Sequence, residues 1–130
     1  VEENIVLPAW VNKSIDSEKG LAFVYELMPE LNEMRERKAL QLSGGQQKLV
    51  ALARALMAGS RLLFLDEPFE GVAPALSQRI SEVIANLQGD GLAVLIAQSE
   101  LNHASRLLDR ECLIVRGEIV RSGALAERDG

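Results

Sequence analysis

Two acidic residues directly follow an apolar segment, at a place where carboxylates can do chemistry. The segment is "LLFL", residues 62–65, and Asp66 and Glu67 come next. Open α/β sheets bind their ligands at the carboxyl ends of the strands. In that position Asp66 would hold Mg²⁺, directly or through water, and Glu67 would polarise an attacking water. The alternative is that both carboxylates simply cap the end of the strand in solvent.

A second candidate site lies in residues 42–47, "LSGGQQ", ahead of the helix-prone run Gln46–Ala58. A glycine costs roughly 1 kcal/mol relative to alanine inside a helix, so two of them need a reason. Gly44 and Gly45 would let a ligand approach the backbone, and the start of a helix favours an anion. Ser43 adds a hydroxyl donor. These features predict a phosphate cradle, and the alternative is a Ser43 helix cap with glycines in a tight turn.

Strands and helices alternate around the acidic pair. Residues 62–65 and residues 92–97, "LAVLIA", are apolar at every position, which predicts strands covered on both faces. Between them a helix begins near Pro74 and ends at "QGDG". This order of strand, helix and strand predicts the α/β class with a parallel sheet.

The residues after the second strand predict one more helix and a hairpin. We expect Ser99 to cap a helix that carries Leu101. His103, the only histidine, lies on the same helix, and we interpret it as a surface or half-buried residue. The segments "ECLIV" and "EIV" flank a glycine and predict two short strands around a turn.

The beginning of the chain is predicted to be mainly helical. Residues 1–15 have a mixed pattern that leaves loop and helix open. A helix then begins near Ser17 and stops before Pro29. We therefore expect a helical subdomain over residues 1–45, which leads to the glycines, and a core over residues 46–130.

Composition excludes several classes of function. The chain has 130 residues and a formal net charge of −5, which argues against nucleic acid as a partner. Cys112 is the only cysteine, so an intrachain disulfide is impossible and a reducing compartment is favoured. Its apolar surroundings predict a buried, inert thiol. No stretch of the sequence has the length of a membrane span or the pattern of a signal peptide.

Taken together, these motifs resemble one family. "LSGGQQ" is similar to the signature motif of ABC-type ATPases, and "LLFLDEP" is similar to their Walker B strand. "VLIAQSE" stands where that family has its switch strand and H-loop. The resemblance covers about residues 1–123 and implies a partial P-loop NTPase domain, with a helical signature subdomain and a remnant of the parallel sheet.

Further segments resemble a subfamily. "VEEN", "RALMA", "DEPFEGVAP" and Gln98 are similar to the ATP-binding subunits of branched-chain amino-acid importers. The resemblance implies that Ser43, Gly44, Gly45 and Gln46 contact ATP bound to a second ABC ATPase subunit.

The resemblance also implies roles for the acidic pair and for the end of the second strand. Asp66 would be the ligand for Mg²⁺, and Glu67 and Gln98 would be catalytic. Transmembrane permease subunits would be further partners, which would place the protein at the cytoplasmic face of the cell membrane.

The sequence departs from the family at several points. It contains no G-x-x-x-x-G-K-[ST] phosphate loop, the Walker A motif, and lacks the glutamine loop that precedes "VEEN" in the family. Gln98 stands where the family has a histidine, and glutamine cannot become a cation. Ala73 replaces an aspartate of many relatives, which puts the usual contact between subunits there in doubt. We therefore expect the isolated chain to be inactive as an ATPase.

Two functional hypotheses follow. The first is the C-terminal portion of the ATP-hydrolysing subunit of an ABC transporter, of the branched-chain amino-acid importer type. The second is a naturally truncated, non-catalytic interaction or regulatory module that pairs with a complete subunit. Under both, the edge of residues 92–97 lacks the phosphate-loop strand that the resemblance places beside it, so we expect self-association.

Overall fold

A computed structural model describes residues 1–59, 61–99 and 107–124. Among these residues the helices are α1 (Glu2–Val11), α2 (Ser17–Leu27), α3 (Pro29–Glu33), α4 (Gly44–Met57) and α5 (Pro74–Gly89), with a 3₁₀ turn at Ala39–Gln41. The strands are β1 (Leu62–Asp66), β2 (Ala93–Ala97), β3 (Arg110–Val115) and β4 (Glu118–Ala124). The α/β class is confirmed. None of the described helices is long and apolar enough to cross a bilayer.

The β1–α5–β2 unit forms as the sequence predicts. β1 and β2 pair in parallel, with Leu62 opposite Ala93 and Asp66 opposite Ala97. Pro74 is the first residue of α5, where its fixed φ suits the first turn of a helix. The apolar side of α5 is buried, with Val83 inaccessible to solvent. Because the strands are parallel and adjacent, the residues that follow both of them meet at one edge of the sheet.

The expectation that both strands are covered on both faces is wrong. Leu63 is buried and Ile96 packs against the core, but the opposite face of the sheet is open. On that face Phe64 is 67% exposed and Leu95 is 56% exposed. The physical reason is that α5 and the core lie on one side of the sheet, and no helix of the described part covers the other side.

The open face of the sheet and the edge of β2 favour self-association of the chain. Among the described residues, β1 is the strand that pairs with β2. An apolar strand edge is a template for pairing with another chain. At micromolar concentration, sedimentation velocity should therefore show a dimer or a larger species, in an arrangement other than one that holds ATP between two subunits. A stable monomer with residues 92–97 ordered would contradict this prediction.

The amino-terminal residues form helices that pack on α4. α1 settles the open alternative for residues 1–15 in favour of a helix over most of that segment. Ile5 on α1, Val24 on α2 and Ala53 on α4 are fully buried in the shared core. The cap of α2 is Asp16 and not Ser17, because the carboxylate of Asp16 accepts the backbone N–H of Lys19 at 3.1 Å.

An ion pair joins α5 to this helical region. Arg79 donates through Nε to Glu30 Oε1 at 2.6 Å and through a terminal nitrogen to Glu30 Oε2 at 3.1 Å. The same guanidinium donates to the carbonyl of Leu27 at 2.8 Å. Burial favours a higher pKa for the Glu30 carboxyl, but the hydrogen bond and charge of Arg79 outweigh it and lower that pKa. This bidentate pair fixes the helical region against the helix that follows the acidic residues.

The last two strands form the predicted hairpin. β3 and β4 are antiparallel, and Arg116 and Gly117 connect them with φ of 51° and 85°. Two positive φ values are typical of a type I′ turn, which is why glycine suits this loop. The expectation of a buried Cys112 is wrong, since its thiol is exposed and lies 3.3 Å from Ser122 Oγ. Side chains on both faces of the hairpin are largely exposed, so the apolar run does not bury the thiol. The predicted helix that carries Leu101 and His103 lies outside the described residues.

Candidate functional site

The glycines of "LSGGQQ" lie inside the first turn of α4. Ser43 is the N-cap, and its Oγ accepts the N–H of Gln46 at 3.2 Å. In return, Gln46 Oε1 accepts the N–H of Ser43 at 3.0 Å, which completes a capping box. Ser43 therefore acts as a helix cap, but Gly44 and Gly45 follow it as helical residues and not as a preceding tight turn.

The two glycines differ in what surrounds them. A Cβ atom on Gly45 would stand 1.7 Å from Leu76 Cδ2, so this glycine lets α4 pack closely on the first turn of α5. A Cβ atom on Gly44 would meet no atom of the described residues within 4 Å. The N–H groups of a first helical turn have no carbonyl partner within the helix. The surface at Gly44 is thus open to a ligand from outside the chain.

The acidic pair occupies the carboxyl end of β1. Asp66 is the last residue of the strand and is exposed to solvent. Glu67 follows with a φ of 45°, although it is not glycine, and its N–H donates to the carbonyl of Ala97 at 2.9 Å. A positive φ at such a residue persists only where surrounding contacts fix it. The bond to Ala97 is one of these contacts.

The residues after β2 hold the carboxylate of Glu67. Gln98 Nε2 donates to Glu67 Oε2 at 2.5 Å. Ser99 donates to Glu67 Oε1 twice, from its backbone N–H at 3.0 Å and from its hydroxyl at 2.5 Å. The structure therefore brings Glu67 and Gln98 together and adds Ser99, which the sequence suggested only as a helix cap. The Glu67 carboxylate is hydrogen-bonded and not simply solvated at the strand end.

Lys48 connects α4 to the acidic pair. Its Nζ donates to the backbone carbonyls of Glu67 at 3.2 Å, Pro68 at 3.4 Å and Glu70 at 2.5 Å. Nothing in the sequence marks this residue, because a lysine in an amphipathic helix is usually a solvated side chain. Its partial burial and its contacts with three carbonyls are visible only in the folded chain.

A cavity of about 230 Å³ lies beside the acidic pair, between α4 and the sheet. Its lining includes Lys48, Phe64, Asp66 and Glu67. The described residues contain no group of three histidine, cysteine or acidic side chains that could enclose a metal ion. Mg²⁺ commonly uses one or two carboxylates together with waters and substrate phosphates. The exposed carboxylate of Asp66 fits that kind of open site.

Comparison with known proteins identifies the family. Residues 1–70 match the sequence profile of the ABC transporter family. The chain is 38% identical over 120 residues to the high-affinity branched-chain amino acid transport ATP-binding protein BraG of Pseudomonas aeruginosa, covering 92% of this chain and 52% of that protein. It is 31% identical over 125 residues to the lipopolysaccharide export system ATP-binding protein LptB of Haemophilus influenzae, covering 95% of this chain and 52% of that protein.

Solved structures agree with the sequence comparison. The chain superposes on the crystal structure of the ADP conformation of an ATP-binding cassette of an ABC transporter, with a TM-score of 0.76 and 34% identity. That match covers 83% of this chain and 42% of the cassette. The chain spans about half the length of the curated relatives it matches. The chain therefore belongs to the ABC transporter family, and the relatives that it matches are ATP-binding proteins of that family.

Proposed function

We propose that this chain is the C-terminal portion of the ATP-hydrolysing subunit of an ABC transporter. The observation that carries the proposal is the set of contacts at the carboxyl edge of the sheet. There, Gln98 and Ser99 hold the Glu67 carboxylate next to the exposed Asp66. These contacts support roles for Glu67 as a base, for Gln98 as a polar switch residue and for Asp66 as a ligand for a divalent cation.

In this proposal the start of α4 contacts the γ-phosphate of ATP bound to a second subunit. Gly44 offers an unobstructed backbone, and Ser43 offers a hydroxyl beside it. Gly45 allows α4 to pack close to α5, and Gln46 fixes the backbone of Ser43 through the capping box. Backbone donors at a helix start, together with the helix dipole, favour the γ-phosphate of that nucleotide.

Asp66 and Glu67 would contribute to hydrolysis of the ATP that is bound to their own subunit, and not of the ATP that is bound to the second subunit. Asp66 would hold Mg²⁺, which neutralises charge on the phosphates when it is bound. Glu67 would accept a hydrogen bond from the attacking water and orient it for in-line attack. Gln98 would orient the Glu67 carboxylate through its amide, without the positive charge that a histidine could supply.

The substrate class is the finer part of the proposal. The similarity to BraG, a branched-chain amino acid transport protein, supports an amino-acid importer. The matches to LptB and to the arginine transport protein ArtP of Haemophilus influenzae support the broader class of transport ATPases. Permease subunits would then be partners, and the protein would lie at the cytoplasmic face of the membrane.

A second candidate function rests on the open surface at Gly44. The 130 residues contain no phosphate loop of the form G-x-x-x-x-G-K-[ST]. A non-catalytic interaction or regulatory module would need only the signature surface around Gly44 to pair with a complete subunit. The coding sequence upstream of Val1 discriminates between the candidates: an in-frame Walker A motif supports the ATPase portion, and an immediate start codon supports the module.

The missing loop gives a direct prediction for the isolated chain. We expect it neither to bind Mg-ATP tightly nor to hydrolyse it, since the phosphate loop supplies most backbone donors and the lysine in such sites. Isothermal titration with Mg-ATP measures this. Micromolar binding by the monomer would contradict the prediction and would require a phosphate site elsewhere in these residues.

A further inference from the structure

We infer that Lys48 is a positioning residue for Glu67. It lies on α4, in the turn that follows the capping box, and reaches across to the segment after β1. The inference rests on the proposed function, because it concerns how Glu67 is held for the reaction. Lys48 itself touches neither of the acidic side chains in the contacts described above.

The geometry around Lys48 is that of a clamp on a backbone turn. Its three N–H donors match three carbonyl oxygens, those of Glu67, Pro68 and Glu70, at 3.2, 3.4 and 2.5 Å. Glu70 N–H also donates to Glu67 C=O at 3.2 Å, so the ammonium closes a turn that the backbone begins. Within the described residues, no carboxylate forms an ion pair with Lys48. Its charge is therefore directed at the backbone of this turn.

The backbone of Glu67 needs such support. Its φ of 45° is uncommon for a residue with a side chain and persists only where surrounding contacts fix it. Ala97 accepts its N–H on the side of the sheet, and Lys48 donates to its C=O on the side of α4. The peptide groups on both sides of Glu67 are thus fixed, which sets the direction in which its side chain leaves the chain.

The position of Lys48 links two parts of the proposed mechanism. The first turn of α4 holds Gly44, where a second subunit's nucleotide would bind, and Lys48 lies on the same rigid helix. A shift of this helix on nucleotide binding would move the ammonium and the turn with it. Nucleotide binding at the first turn of α4 would therefore change the orientation of Glu67, and Lys48 would link the two.

The first experiment tests the clamp in the 130-residue chain, without reference to ATP. Lys48→Met keeps the length of the side chain and removes the donors, and Lys48→Arg keeps donors. Lys13→Met is the matched control, because Lys13 is an exposed lysine outside the site. Amide hydrogen exchange by NMR should show the Glu70 N–H exchanging at least tenfold faster in Lys48→Met.

The same measurement should leave the other variants and the core unchanged. Amides of α5, such as Val83, report whether the chain is still folded. Lys48→Arg and Lys13→Met should stay within about threefold of the parent protein at Glu70. If Lys48→Met does not fold, Lys48→Leu, which also lacks donors, replaces it with the same expected acceleration. An unchanged Glu70 exchange rate in a folded variant without the ammonium would overturn the inference.

The second experiment uses the intact two-subunit assembly that contains this half. Lys48→Met should lower kcat for ATP roughly 10- to 100-fold and leave KM within about threefold, since a small misplacement of a catalytic group costs that much. Lys48→Arg should restore most of kcat, and a purely structural role would not give this split. An unchanged kcat in Lys48→Met would overturn the inference. Glu67→Gln serves as the independent check: if it retains full turnover, the proposed function fails, and the exchange experiment still decides the clamp.

Discussion

Glu67→Gln should lower ATP turnover by about 10²–10⁴-fold in an intact assembly that contains this half, while ATP binding and the paired state of the two subunits persist. The substitution keeps the shape of the side chain but removes the negative charge that polarises water. Asp66 is unchanged and can still serve Mg²⁺. The expected result is therefore an assembly that binds ATP but hydrolyses it very slowly.

The local contacts explain why this variant should remain folded. The new amide would present one oxygen and one NH₂ group to the donors that now hold the carboxylate. Gln98 Oε1 is buried and has no hydrogen-bond partner among the described residues, whereas its Nε2 is occupied. A flip of the Gln98 amide would turn that oxygen towards the new NH₂ group and restore a hydrogen bond. The new oxygen could still accept from Ser99.

Single-turnover and nucleotide-binding measurements on the assembly test this prediction together. Turnover should fall while the dissociation constant for Mg-ATP changes by less than about threefold. An equal loss of binding and turnover would show that Glu67 is a structural or metal-binding residue. The proposed division of work between Asp66 and Glu67 would then be wrong.

Gly44→Ala should separate stability from function. Its Cβ atom would meet nothing within 4 Å, and Gly44 has no positive φ. The isolated chain should therefore be unchanged or up to about 1 kcal/mol more stable. In the assembly the methyl group would stand where the γ-phosphate of the second subunit's ATP approaches, so turnover should fall roughly 100-fold.

Gly89→Ala is the matched control for this substitution. Gly89 is also helical, lacks a positive φ and has open space at its Cβ position, but it lies at the far end of α5. Denaturant unfolding and ATP turnover should show similar stability for both variants and a loss of turnover only for Gly44→Ala. Full turnover in Gly44→Ala would contradict the proposed approach of nucleotide to α4. Gly45→Ala would be a poor substitute, because Leu76 would have to move.

Some of this architecture could be predicted from local sequence and some could not. The strand before Asp66 and the helix from Pro74 follow from apolar spacing and a proline, which are local signals. The parallel pairing of β1 with β2 follows from their order. The strand and the helix were confirmed because neighbouring residues along the chain decide them, and the pairing was confirmed because a strand–helix–strand order favours a parallel neighbour.

The features that were not predicted, or were predicted wrongly, depend on residues that are distant in sequence. The difference between Gly44 and Gly45 comes from Leu76, which only the folded chain brings near. Ser99 and Lys48 contact Glu67 from 32 and 19 positions away in the sequence. The periodicity of the sequence does not predict such contacts. An apolar strand shows that two faces suit burial, but not whether this chain supplies a cover for both, which is why that prediction was wrong.

The open face of the sheet also has a calorimetric consequence. Exposed apolar surface raises the heat capacity of a protein, and unfolding cannot expose again what the folded chain already leaves in water. Phe64 and Leu95 should therefore reduce the heat-capacity change of unfolding relative to a domain with a fully covered sheet. Any molecule that covers this face, including a second copy of the chain, should bind with a negative heat-capacity change. The temperature dependence of the association enthalpy would then distinguish pairing over this face from pairing through polar strand edges alone.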